Sequence, residues 1–392
     1  MDSSLKNLTP LDHQLVAWVL SAFPLGSAEP VPGPTDNATW QALLERAKVQ
    51  GLSPLLYAAL ETHGFVNVPA FVVDSLQDIY RNSALATAVA HREMETLLSR
   101  FTAQQIDVVV LKGAALSKWL YPLPGLRPFG DLDLLIHQTD RSAASVFLNT
   151  CGYQEADGLG AAFYTAFSCE LGFHRAAPPR LNVDLHWQLL NPNFYRRRVK
   201  LDWFWGRTQL FVSGPVMARM FDPTAQLVHL ALHLGVQHGN APRLIHFYDL
   251  ALLICKYGAA MDWRTAAAYV QDTGLARPVH QVLIQTQAAW KIALAPETLA
   301  LFRPRESHLS ERAAFLLTTA VHKEASVLTD TLSIPEAGNK LRYVLGILFP
   351  NAAYMRQRYA LAPDTFLPYY YVRRLAHGIR LFARSLWWTF LR

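Results

Sequence analysis

Between Ile106 and His186 the chain leaves the helical periodicity that precedes it and runs in short apolar segments, two of which carry aspartates at their centres. "IDVVVLKG" (106–113) is β-branched and ends on Gly113, the pattern of a buried strand entering a turn. "DLDLLIH" (131–137) and "RLNVDLHWQLL" (180–190) read as further strands. Between them, "AALSKWLY" and "RSAASVFLNTCG" read as helices and "PLPGLRPFG" as a Pro/Gly loop. Strands separated by helices in this way demand a compact mixed domain, and the helical patterns on either side place it in the middle of an α+β chain.

Only 17% of the residues are charged, so the embedded acids need an explanation. Aspartate is a poor strand former, and an ionised carboxylate is costly to bury without a partner. The two-residue period of a strand points Asp131 and Asp133 to one face, with Leu132 and Leu134 on the other. Asp184, in "LNVDLHW", is a third aspartate in an apolar strand. Three carboxylates on neighbouring strands make a cage for Mg²⁺, with Mn²⁺ as the close substitute, because such cations take hard oxygen ligands. Two ions there would activate an attacking oxygen and neutralise a departing pyrophosphate. The competing reading is an exposed edge strand whose acids discourage aggregation. The preceding strand, glycine turn and helix favour the metal. A turn at Lys112, Gly113 and Ala114 presents backbone N–H groups and a helix N-terminus to phosphates.

"VVLKGAALSKWLYPLPGLRPFGDLDLLI" followed by "VDLHW" resembles the nucleotidyltransferases of the DNA polymerase β-like superfamily, and more closely a poorly characterised bacterial branch of it. The superfamily pattern is a hydrophobic strand, a Gly-Ser or Gly-Gly turn, a D-x-D, and a third carboxylate on a later strand. Gly113, Asp131 with Asp133, and Asp184 match those places in order. The resemblance extends to "WQALLERAKVQGLSPLLY", "RLIHFYDLALLI" and "MDWRTAAAYVQDTG". It implies a central polymerase β-like domain in helical N- and C-terminal regions. It also implies transfer of a nucleoside monophosphate from an NTP to an acceptor hydroxyl or phosphate. One departure is Ala114, which stands where the superfamily commonly has Ser; Lys112 or Ser117 would have to replace the missing hydroxyl.

Several residues carry two readings each. Arg127, four positions before Asp131, either clamps triphosphate oxygens or anchors its loop through an ion pair. Lys112 reaches phosphate or solvent. His186 shares the strand face of Asp184 and is a candidate substrate contact, a partner for a carboxylate, or a structural histidine. Arg243 either pairs with Asp249 or reaches the substrate cleft. His229 and His233 stand at i and i+4, but "HLALH" lacks the glutamate of a zinc-protease motif, which favours packing over zinc.

The organisation expected is an N-terminal helical region (1–105), the α/β domain (106–220), a helical domain (221–330) and a basic, aromatic helical region (331–392). From Gly338 onward nine Lys/Arg face one acid, Asp364. Arg373, Arg380 and Arg384, near Leu381, Phe382, Trp387, Trp388 and Phe390, form a face for an anionic membrane surface or nucleic acid, unless the helix packs its aromatics on the domain. Cys151, Cys169 and Cys255 have no paired spacing, which fits a reducing compartment. No apolar run is long enough for a transmembrane helix and no secretory signal opens the chain, so the expected location is the cytoplasm, with peripheral attachment through the tail. A Mg²⁺-dependent nucleotidyltransferase is therefore the leading expectation. The alternatives are a non-catalytic scaffold that keeps the fold, and a toxin-like enzyme that modifies tRNA.

Overall fold

A computed structural model describes residues 8–23, 33–156, 166–178, 180–238, 242–305, 309–318 and 326–390, without the side chains of 309–310, 317, 326, 328–329 and 381–390. Its centre is a seven-stranded mixed sheet: β1 (Val109–Val110), β2 (Asp131–Leu135), β3 (Gln154–Glu155), β4 (Glu170–His174), β5 (Asn182–His186), β6 (Thr208–Ser213) and β7 (Val216–Phe221). The strand order is β3-β4-β5-β2-β1-β7-β6. Strand β2 runs parallel to β5 and antiparallel to β1, and β1 runs parallel to β7. Because β2 lies between β5 and β1, the edge-strand reading of its aspartates is overturned: both sides of its backbone are paired.

Helices α1 (Pro10–Ala22), α2 (Asn37–Gln50), α3 (Ser53–Thr62) and α4 (Ala70–Ala103) lead into the sheet. Helices α2 and α3 are separated at Gly51 and Leu52. Asp36 caps α2 by accepting the Thr39 N–H at 2.9 Å. Gly51 ends it at φ 72°, and an added Cβ there would lie 2.9 Å from Ile245 Cγ2, so the left-handed cap and the close packing both require glycine. Helices α5 (Lys112–Trp119) and α6 (Arg141–Thr150) fall where the sequence places them.

Two apolar cores divide the molecule. Leu132, Leu134, Val183 and Leu185, on one sheet face, pack with Met94, Leu97 and Phe101 of α4 and Leu148 of α6. On the other face Leu135 and Val109 join a larger core. That core unites α1–α3 (Leu15, Trp40, Leu55) with the helices after Asp222 (Leu227, Tyr248, Trp290). The N-terminal helices and the later helices thus share one interior.

The helix Pro223–Leu232 continues into one π-helical turn, His233–Gln237. The last helix runs Leu367–Phe390. Its Arg373 lies 5.8 Å from the Tyr359 ring centroid and Arg374 lies 5.3 Å from that of Tyr354, while Tyr369, Val372 and Ile379 are exposed. The side chains of Leu381, Phe382, Arg384, Trp387, Trp388 and Phe390 lie outside the described residues, as does Arg392. Among the described residues no helix is long and apolar enough to cross a membrane.

Candidate active site

Strand pairing brings the acids together. Asp133 is in register with Asp184 on the parallel neighbour, and Asp131 is two residues back on the same face. Strand β4 adds Glu170, which pairs with His186, and Gly172, which pairs with Asp184. A Cβ on Gly172 would stand 3.3 Å from Asp184 Oδ1, so the glycine leaves that carboxylate its space. One sheet face therefore carries Asp131, Asp133, Asp184, His186 and Glu170.

The partner of the buried Asp133 is the chain itself. Lys112 Nζ lies 2.6 Å from its Oδ1, and His186 Nε2 lies 2.8 Å from the same oxygen. Burial alone would raise the Asp133 carboxyl, but Lys112 and His186 outweigh it and hold the group well below the usual carboxylate range. Among the described residues Asp184 has no such cation within ion-pair distance. Burial, with the charges of Asp133 and Glu170, pushes it up to about 6.

The turn differs in detail from the sequence expectation. The left-handed residue is Lys112, at φ 48°, rather than Gly113. That conformation swings its side chain over the sheet toward Asp133. Gly113 is needed for closeness instead, since an added Cβ would meet Phe129 Cβ at 2.8 Å. Helix α5 begins at this same Lys112, and Leu111 at its N-cap makes no side-chain cap hydrogen bond.

Four of the expected phosphate or substrate contacts have other partners or surroundings in the structure. Arg127 is buried and bound to Asp249: Nε donates to Oδ1 at 2.8 Å and Nη2 to Oδ2 at 2.7 Å. Tyr121 Oη donates to the same carboxylate at 2.6 Å, so the guanidinium anchors its loop to the later helices. Ser117 is fully buried, with Oγ 2.8 Å from His91 Nε2 and 3.1 Å from the Ala114 carbonyl. The Ala114 methyl lies in the core around the sheet. Arg243 does not take Asp249; its Nη2 stands 3.4 Å from His246 Nε2.

His229 is buried against Phe221, with both ring nitrogens lacking hydrogen bonds, and burial followed by the charge of Lys112 lowers its pKa to about 3. His233 and His238 approach through their Nε2 atoms at 3.0 Å. The His229 ring packs edge-on against Phe221 of β7.

Cys169 and Glu170 escaped the sequence reading. Their relation to His186 depends on the β4–β5 register, and "SCELGFH" carries only a weak alternation. Among the described residues, only Cys169, Glu170 and His186 bring three ligand atoms within 4.8 Å of one another. The three aspartates share a face without closing to that degree.

A family model described as "uncharacterised nucleotidyltransferase" matches residues 36–291, about two thirds of the chain. The chain belongs to this family. Membership in these nucleotidyltransferases supports a general role in nucleotidyl transfer and makes a nucleoside triphosphate the implied substrate. The matched span contains every residue of the carboxylate face. Among solved structures, the chain is similar to an antigenic nucleotidyltransferase-like protein from Paracoccidioides brasiliensis, at 15% identity and TM-score 0.34, covering 54% of this chain and 96% of that one. At that level the neighbour says nothing about the substrate of this family member. No curated protein matches the chain significantly.

Proposed function

We propose that the protein is a Mg²⁺-dependent nucleotidyltransferase that moves a nucleoside monophosphate from an NTP to an acceptor hydroxyl or phosphate. The observation that carries this reading is the register of Asp133 against Asp184, with Asp131 on the same face beside the α5 N-terminus. The donor set fits the cation: all three groups are hard carboxylates, and a divalent charge would offset the burial, and after it the neighbouring charges of Asp133 and Glu170, that raise Asp184. Asp131, Asp133 and Asp184 would hold Mg²⁺ or Mn²⁺, which would neutralise the triphosphate and the departing pyrophosphate.

The chain's own residues do the rest. Free N–H groups at Lys112, Gly113 and Ala114 receive phosphate oxygens. Lys112 offers its ammonium to the triphosphate when it leaves Asp133. His186 orients Asp133 through Nε2. The acceptor oxygen forms its bond to the α-phosphorus as the bridge to the β-phosphate breaks, and the acceptor proton passes to a carboxylate on this face, for which Asp184 is placed. Calorimetric titration of each NTP with Mg²⁺, on wild type and on Asp131→Ala/Asp133→Ala, tests the proposal. Metal-dependent binding that the variant loses is expected; full binding and turnover by the variant would sink it.

A second reading, a non-catalytic scaffold, is favoured by Lys112, whose ammonium already sits on Asp133 Oδ1. No Mg-NTP binding by folded wild type would select it. For the tail, exposed Tyr369, Val372 and Ile379 beside Arg373 and Arg380 support contact with an anionic membrane, from a cytoplasmic location. Cosedimentation with phosphatidylserine vesicles, lost on removing residues 365–392, tests that contact.

A further inference from the structure

We infer that Cys169, Glu170 and His186 form a separate metal site, suited to a borderline-soft divalent cation of the zinc class. The inference does not rest on the transfer reading and holds for an enzyme or a scaffold.

The three side chains present a sulfur, a carboxylate oxygen and an imidazole nitrogen within 4.8 Å of one another. His186 is 1% exposed, and its Nδ1 has no hydrogen bond although Glu170 Oε2 lies only 3.1 Å away. Proximity without an aligned N–H is what two ligands of one ion show, because their lone pairs point at the ion rather than at each other. Bonds of about 2.0–2.2 Å at near-tetrahedral angles place such donors roughly 3.3–3.6 Å apart. The thiol Sγ is 3.5 Å from the same Glu170 oxygen.

The surroundings are those of a held ligand set. Asn191 Nδ2 donates to Glu170 Oε1 at 3.0 Å, fixing the oxygen that is not offered to the ion. Asn191 Oδ1 also accepts the Cys169 N–H at 3.3 Å, tying the two neighbours into one geometry. On the far side of the ring, His186 Nε2 meets Asp133 Oδ1 at 2.8 Å. A metal on Nδ1 leaves the proton on Nε2, and the result is the carboxylate–histidine–metal chain that orients metal-bound histidines.

Thiolate and imidazole select against Mg²⁺ and for zinc-class ions, so this site and the aspartate face discriminate by ligand softness. Binding forms the Sγ–metal bond as the thiol proton leaves to solvent, one proton for each ion. Three protein donors leave the fourth position to water.

Cobalt(II) titration of the full-length protein tests the site. We expect about one equivalent to bind with a near-ultraviolet thiolate-to-cobalt band that Zn²⁺ abolishes by competition. Cys169→Ser should lose the band, while Cys151→Ser/Cys255→Ser and Asp131→Asn should keep it. Glu170→Gln, at a partly exposed position that preserves the fold, should weaken Zn²⁺ binding at least tenfold with the band retained. The inference is overturned by wild type without the band, by a band that survives Cys169→Ser, or by Zn²⁺ affinity unchanged in Glu170→Gln.

Discussion

Lys112 and His186 both reach Oδ1 of Asp133, at 2.6 and 2.8 Å, so a single carboxylate oxygen deep in the sheet is shared by two side chains from separate elements. The lysine gets there because its backbone is left-handed at φ 48°. An ammonium in that place competes with any cation for Asp133. Lys112→Met should therefore raise Mg²⁺ affinity, measured by calorimetry without nucleotide, by roughly three- to tenfold, equivalent to about 1 kcal/mol. The same variant should bind NTP more weakly, since the phosphates lose the ammonium. Unchanged Mg²⁺ affinity would show that the lysine does not guard the site.

Removing one carboxylate should cripple transfer without harming the fold. Asp131 is exposed and Asp184 half-buried, so Asp131→Asn and Asp184→Asn should fold normally and turn over NTP at least about a hundredfold more slowly. Circular dichroism checks the first part and pyrophosphate release the second.

The Arg127–Asp249 pair is buried at both ends. Breaking it from one side strands a charge, so Arg127→Met should cost about 3–5 kcal/mol, read from urea midpoints. Arg127→Met/Asp249→Leu should recover most of that loss. A single variant as stable as wild type would contradict the pairing.

Two buried groups give stability opposite slopes with pH. Burial, then the Lys118 charge, lowers His91 to about 4. Below pH 6.5 the unfolded chain takes up a proton that the folded chain refuses, so stability falls as pH drops from about 6.5 to 4, by about 3 kcal/mol. His91→Gln should flatten that limb. Burial raises Asp330 to about 6 despite the N–H of Asn193 and the Tyr343 hydroxyl. Its contribution is complete below about pH 4 and is lost as pH rises through 6, so Asp330→Asn should gain up to about 3 kcal/mol at pH 7. Thermal melts from pH 4 to 8 separate the two.

Three of the seven strands were legible, β1, β2 and β5: each is an apolar run, and the acids of β2 and β5 stand out in theirs, with the register setting Asp133 beside Asp184. The hairpin β6–β7 carried no such contrast. What sequence could not supply was the identity of partners far apart in the chain. "RLIHFYDLA" offers Arg243 beside Asp249, yet the carboxylate takes Arg127, because burial rewards the guanidinium that can lie flat against it with two hydrogen bonds. Ser117 looked polar and available, but helical spacing turned it toward His91. Asp131, Asp133 and Asp184 were found by their misfit; Glu170 and Cys169 were not, because a half-buried glutamate at the start of a strand breaks no rule.

The tether between Arg127 and Asp249 also bears on how such a chain can be divided. A fragment holding the sheet alone would carry a buried guanidinium stripped of its counter-charge, in the loop that runs from α5 to the aspartate strand. Recombination, in nature or in the laboratory, that moves the sheet without the helix Leu244–Tyr257 would take Asp249 from Arg127, two residues before the Phe129 that packs on Gly113. By that ion pair, the sheet and the helix have to travel together.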